Sequence, residues 1–233
     1  MAGLSVWNGS SFVGGDPRIW NGSAFVPPSS CHVWDGAQFV KVWPTSLPIE
    51  YISSASAASN TVSMPTHQAG DLLIVIAGRE DWANTPPGLE SGWTNIENSG
   101  SNNRSVRAAY RVATSSSMAT GTWTNAQFMS VLVLRNAEYR SHNIAGGANT
   151  VMYPAISGLA TTDFVVRAAM TGIDGYPMTG TGWTTYASFG STTKFYAARK
   201  GPVGDTSLDG TTAATNNVTS GRAITIAFKL AGT

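Results

Sequence analysis

Two periods run along this chain. After residue 60 the apolar positions alternate. Val106, Ala108, Tyr110 and Val112 interleave with Arg107, Ala109 and Arg111, and Ile224, Ile226 and Phe228 interleave with Thr225, Ala227 and Lys229. A period of two predicts strands with one face in a core and the other in water. Leu72 to Ala77 and Phe128 to Leu134 are apolar without interruption, as central strands are. No window of helical length carries a 3.6-residue apolar stripe, and turn formers recur at short intervals. The expectation is an all-β fold, an antiparallel β-sandwich of jelly-roll-like kind, over residues 47–233.

Before that region the pattern changes to a short repeat. Val6-Trp7-Asn8-Gly9-Ser10-Ser11-Phe12-Val13, Ile19-Trp20-Asn21-Gly22-Ser23-Ala24-Phe25-Val26 and Val33-Trp34-Asp35-Gly36-Ala37-Gln38-Phe39-Val40 align without gaps. Asn-Gly or Asp-Gly between apolar flanks is a strong hairpin signal, because a type I′ turn needs positive φ at both central positions. With Asn8-Gly9 as a two-residue turn, Trp7 stands opposite Ser10 and Ser5 opposite Phe12, so Trp7 and Phe12 are diagonal neighbours. Residues 1–46 are therefore expected to form three β-hairpins. Small hairpins are marginal alone in water. Their aromatic face, Trp7, Phe12, Trp20, Phe25, Trp34 and Phe39, is expected to pack between hairpins or against another subunit, with sugar binding as its second use.

The larger region contains a weaker duplication. Asp71-Leu72-Leu73-Ile74-Val75-Ile76-Ala77 matches Asp163-Phe164-Val165-Val166-Arg167-Ala168-Ala169, and Gly92-Trp93-Thr94 matches Gly182-Trp183-Thr184. Each half offers four or five strands. Asp71 and Asp163 hold matching places at strand starts, which argues for a turn or capping role. The loop after the first strand of each half carries aromatics among polar residues. Arg79, Asp81, Trp82 and Asn84 in the first, with Asp174 and Tyr176 in the second, are candidate ligand contacts, since loops carry function on rigid scaffolds. The alternative is an aromatic lid on the end of the sandwich.

Composition narrows the class. Charged residues are 12 % of the chain and the net charge is +1. Acids and bases are scattered, so no stripe suits nucleic acid. Cys31 is the one cysteine, which rules out an intramolecular disulfide. No apolar run reaches the roughly 18 residues of a membrane helix, so membrane insertion is not expected. Met1 to Ser5 lacks the basic start of a signal peptide.

Catalytic patterns are missing. There is no Gly-x-Ser-x-Gly, no His-Glu-x-x-His and no phosphate-binding glycine loop. His32, His67 and His142 lie in separate segments without ligand spacing. Glu80 and Asp81 are adjacent, and nothing selects them with Glu90 or Glu97 as a paired-carboxylate site. The reading is a non-enzyme without cofactor or metal.

The Val-Trp-Asn-Gly-x-x-Phe-Val hairpins resemble those in minor tail proteins of tailed bacteriophages of actinobacterial and related hosts. Ala69-Gly70-Asp71-Leu72-Leu73-Ile74-Val75, Gly92-Trp93-Thr94, Ala109-Tyr110-Arg111-Val112 and Gly121-Thr122-Trp123 resemble the jelly-roll-like module of phage tail and fibre proteins. The resemblance covers nearly the whole chain and implies structure more than chemistry. It implies a virion component at the tail or another exterior surface, made in the host cytoplasm. Its partners would be other virion proteins and further copies of itself; a trimer is compatible, although no heptad enforces one. A host cell-surface glycan is a further candidate partner. A capsid decoration or head-fibre protein, or a stand-alone carbohydrate-binding module, is the alternative.

Overall fold

The structure, a computed structural model, describes residues 5–7, 10, 12–14, 19–20, 22–26, 31–34, 36–43, 47–80, 85–101, 104–147, 152–171, 182–189, 194–212 and 221–232. The chain forms two compact units, Met1–Leu47 and Pro48–Thr233. Among the described residues there are strands and no helices.

The first unit contains three antiparallel ribbons. β1 (Ser5–Trp7) pairs with β2 (Phe12–Gly14), β3 (Ile19–Trp20) with β4 (Phe25–Val26), and β5 (Cys31–Trp34) with β6 (Phe39–Trp43). Their register corrects the two-residue-turn expectation. Trp7 stands directly opposite Phe12, Trp20 opposite Phe25 and Trp34 opposite Phe39, and Ser5 pairs with Gly14. Four residues, not two, therefore join the paired positions. The longer connection lets each Trp face its Phe squarely instead of diagonally. Direct aromatic cross-strand pairs are worth roughly 0.2–1 kcal/mol each, enough to decide register in so short a ribbon. Gly22 and Gly36, with φ of 102° and 104°, take the left-handed backbone that the turn requires.

The second unit is the antiparallel sandwich. Its first sheet comprises β7 (Glu50–Ala57), β8 (Leu72–Glu80), β9 (Thr94–Ser101), β10 (Arg104–Val112) and β11 (Phe128–Arg135), in the order β7-β11-β8-β10-β9. The second half supplies β12 (Ala137–Gly147), β13 (Met152–Tyr153), β14 (Ile156–Ser157), β15 (Phe164–Thr171), β16 (Thr184–Phe189), β17 (Lys194–Lys200), β18 (Ser207–Leu208), β19 (Thr211–Thr212) and β20 (Gly221–Leu230). Its main sheet runs β12-β20-β15-β17-β16. The chain completes one sheet before starting the other, whereas a jelly roll alternates between its sheets.

The two sheets repeat one plan. Leu72 pairs with Leu134, which pairs with Tyr51; in the second half Phe164 pairs with Phe228, which pairs with Tyr139. Bulges fall at equivalent places, at Ile52 and Arg140 on the outer strands and at Ile96 and Tyr186 on the opposite edges. The sheets meet face to face in opposed order. β8 lies against β15, β7 meets β16, and β9 meets β12.

Between the sheets lies the main core: Leu72, Ile74 and Ile76 of β8, Leu132 and Leu134 of β11, and Phe164, Val166, Phe195, Ile224, Ile226 and Phe228 opposite. Each fully buried side chain of this size contributes about 1.5–3 kcal/mol. The outer faces are not in water as the alternation suggested. Leu73, Val75 and Ala77, with Met129 of the neighbouring β11, lie beneath Trp93, Trp123 and Val62. Ala169, beside its ladder partner Tyr196, lies beneath Tyr153, and Val165 and Ala227 lie beneath Ile156, Leu159 and Val203. Connections crossing each sheet make these layers. In the second half the pairs β13–β19 and β14–β18 reinforce them. A sheet covered on both faces explains why β8 reads as a continuous apolar run.

Candidate functional site

The hairpin aromatics are the first candidates from sequence. Trp34 is 55 % and Phe39 72 % exposed. Their rings meet edge to face with centroids 5.2 Å apart, a favoured aromatic geometry. Trp7, Phe12, Trp20 and Phe25 occupy the same paired backbone positions in the other two ribbons. Trp34 and Phe39 present large apolar area to whatever approaches them and offer no reacting group.

The loop candidates separate. Arg79 is half-buried at the end of β8, and its Nη1 donates to the Thr85 carbonyl at 3.5 Å. Asp81, Trp82, Asn84, Asp174 and Tyr176 lie outside the described residues. Asp71 and Asp163 are buried at the starts of β8 and β15. Asp71 accepts from Arg135 through both oxygens, Nε to Oδ1 at 2.8 Å and Nη2 to Oδ2 at 3.0 Å, and also from the Gln68 amide. Asp163 accepts from the Ala160 amide at 2.9 Å and pairs with Arg140 Nε at 2.7 Å. Both close a turn in which the Asp amide returns a hydrogen bond, to the Gln68 or the Ala160 carbonyl. The acid is repeated in place, but its arginine comes from β11 in one half and from β12 in the other. These carboxylates are fully engaged in structure.

Sequence reasoning passed over the two seams where the sheet edges meet. At the β9–β12 seam, His142 Nε2 lies 3.3 Å from Glu97 Oε2, and Nδ1 lies 2.7 Å from the Tyr139 hydroxyl. A proton on Nε2 satisfies both contacts: the ring donates to Glu97 and accepts from Tyr139. Tyr139 stacks on Tyr110 at 5.5 Å. Burial, with Tyr110 and Glu97 nearby, pushes the Tyr139 phenol above its ordinary range. At the β7–β16 seam, Arg199 takes the place of Tyr110 and lies 3.6 Å from the centroid of the Tyr51 ring. Burial raises the Tyr186 phenol there. The signal for both seams was the tyrosine two strands away in ladder register, which only the pairing reveals.

Arg167 is a buried cation in the outer layer of the second sheet. Its Nη2 donates to the Asp209 carbonyl at 2.6 Å and its Nε to the Thr225 hydroxyl at 3.2 Å. Its guanidinium lies 5.0 Å from the Trp183 ring centroid. Burial lowers its pKa to about 10. Backbone carbonyls and ring faces satisfy it, as packing requires.

A cavity of about 680 Å³ lies between the two crossing connections of the first half. His67 ties them together: its Nδ1 meets the Pro65 carbonyl at 2.8 Å, and its Nε2 accepts from the Met118 amide at 3.2 Å. Among the described residues no group of three or more His, Cys, Asp and Glu converges. Set against known protein families, curated proteins and solved structures, the chain matches none.

Proposed function

We propose that the protein is a structural component of a bacteriophage virion, a minor tail or tail-fibre subunit that works by assembly and attachment and not by catalysis. The observation that carries this reading is the exposed Trp34–Phe39 pair on a ribbon too small to have its own core. The same Trp-opposite-Phe register in all three ribbons points to one repeated contact. The low charge of the chain, 12 %, suits surfaces buried against other subunits. The resemblance of the hairpin and sandwich motifs to phage tail proteins supplies the particular setting.

In this reading the hairpin unit docks onto virion proteins or onto further copies of the chain, and the sandwich serves host-surface contact. A capsid decoration protein would use the same parts at another place on the particle. Light scattering and co-sedimentation with particle proteins test the docking role. The full chain is expected to associate, and the Trp34→Ser/Phe39→Ser variant to lose association while keeping a folded sandwich. A monodisperse monomer that binds no particle protein would overturn it.

A further inference from the structure

Trp93 and Trp183 hold equivalent places after Gly92 and Gly182, but their polar surroundings differ. Trp183 lies on the Arg167 guanidinium. Trp93 is only 6 % exposed, meets Trp123 edge to face at 5.6 Å and lies beneath Arg111 at 5.6 Å. Its buried indole Nε1 has no acceptor among the described residues, and neither has Arg111 Nε. Buried donors without partners are uncommon in native cores and costly to keep.

Both residues line a cavity of about 370 Å³ together with Glu90, Ser91, Thr114 and Thr120. Glu90 and Arg111 make no ion pair, with each other or with any described residue. Glu90 lies so close against Gly121 that any side chain there would displace it, and Arg111 passes over Gly92 with Nη1 3.6 Å from where a Cβ would stand. Both glycines have φ of 79°. The backbone thus clears room for an acid and a base that face one small space.

We propose that this cavity binds one uncharged saccharide unit. One carboxylate and one guanidinium sum to no net charge, which disfavours an ion of either sign. A sugar hydroxyl both donates and accepts. It gives to Glu90 and receives from the Trp93 indole and from Arg111. The Ser91 hydroxyl serves as donor or acceptor, the Thr114 and Thr120 hydroxyls, whose protons go to Met118 Sδ and the Val62 carbonyl, serve only as acceptors, and Met118 offers an apolar patch for the C–H face. The volume is at the small end of ligand pockets, roughly 300–1,000 Å³, so it holds one ring or two and not a long chain. This site is distinct from the hairpin aromatics, and it does not rest on the virion reading. Sugar binding by a protein absent from particles would sink that reading alone, and incorporation without sugar binding would sink this one alone.

The test is a titration of the ¹⁵N-labelled full chain, with the Trp93 indole signal assigned by its loss in Trp93→Phe. Glucose, galactose, N-acetylglucosamine and their disaccharides are the probes, with glycine and acetate as ionic controls. The expected result is a saturable shift of the Trp93 signal with at least one saccharide and none with glycine or acetate. Glu90→Gln should weaken that binding about tenfold, as loss of a charge-assisted hydrogen bond does. Arg111→Lys, which keeps the charge, serves if Glu90→Gln fails to fold. An unmoved indole across the saccharides, a preference for glycine or acetate, or unchanged affinity in the folded variant would each overturn the assignment.

Discussion

Replacing Asp71 with Asn should cost the sandwich about 2–4 kcal/mol. The carboxylate is 1 % exposed and takes a two-pronged hydrogen bond from Arg135 as well as the Gln68 amide. Asn keeps one acceptor oxygen; at the Oδ2 position it retains the bonds from the Gln68 amide and Arg135 Nη2 and loses the one from Arg135 Nε. The other oxygen becomes an amide that turns a donor toward the guanidinium. Arg135 is 30 % exposed in its side chain, so part of its charge relaxes into water, and the estimate stays below the extreme for a fully buried pair. Urea unfolding followed by tryptophan fluorescence reads the change as a shift in midpoint at constant slope. Arg135→Met alone should cost at least as much as Asp71→Asn, because it strands the buried carboxylate, and the double variant should cost less than the sum of the two, because removing both partners leaves no stranded charge. A loss below about 0.5 kcal/mol, or strict additivity, would refute the claim that this pair holds the start of β8.

Three further outcomes follow from the same geometry. Gly78→Ala should destabilise by about 1–3 kcal/mol in the same assay, because a Cβ there collides with the Met170 thioether and stands 3.0 Å from the Phe195 ring; a neutral result would mean that the inter-sheet packing is looser than drawn. Burial keeps the Tyr139 and Tyr186 phenols protonated above their ordinary range, so the folded state holds those protons more tightly than the unfolded chain does. That contribution is complete below about pH 10 and is lost as pH climbs from there toward the folded values. Phenolate absorbance should show Tyr139 and Tyr186 ionising later than ordinary tyrosines, and a single titration of all of them in the intact fold would contradict it. Trp34→Ser/Phe39→Ser should leave the sandwich's urea midpoint unchanged, since neither ring belongs to the sandwich's core clusters; a joint loss of stability would contradict it.

How much of this was legible in the sequence varies by element. β8 and β11 were readable because their apolar runs are long, β10 and β20 because their apolar positions alternate, and Asp71 and Asp163 because the same acid starts two similar strands. The hairpins were readable as ribbons, but their register was not. Asn-Gly favours a two-residue turn locally, while the Trp–Phe pair across the ribbon decides where the strands meet. The outer layers were invisible because their coverings come from irregular crossings such as 58–71 and 113–127, which carry no period. Thr225 therefore read as solvent-facing, although it is buried and donates to the Pro154 carbonyl at 2.7 Å. The Trp93 cavity needed Glu90, Arg111 and Thr120 brought together from three segments. A linear motif holds only the first of them beside the tryptophan, and nothing in Glu90-Ser91-Gly92-Trp93 marks the acid as facing a base eighteen residues ahead of Trp93.

The central claim is that this chain is a piece of a virion. Cryo-electron microscopy of virus particles whose genome carries the gene for this chain tests this most directly. The account predicts density for a two-sheet sandwich on the tail or another exterior surface, with the aromatic ribbons buried against a neighbouring subunit. Complete particles in which neither density nor mass spectrometry finds the chain would contradict it.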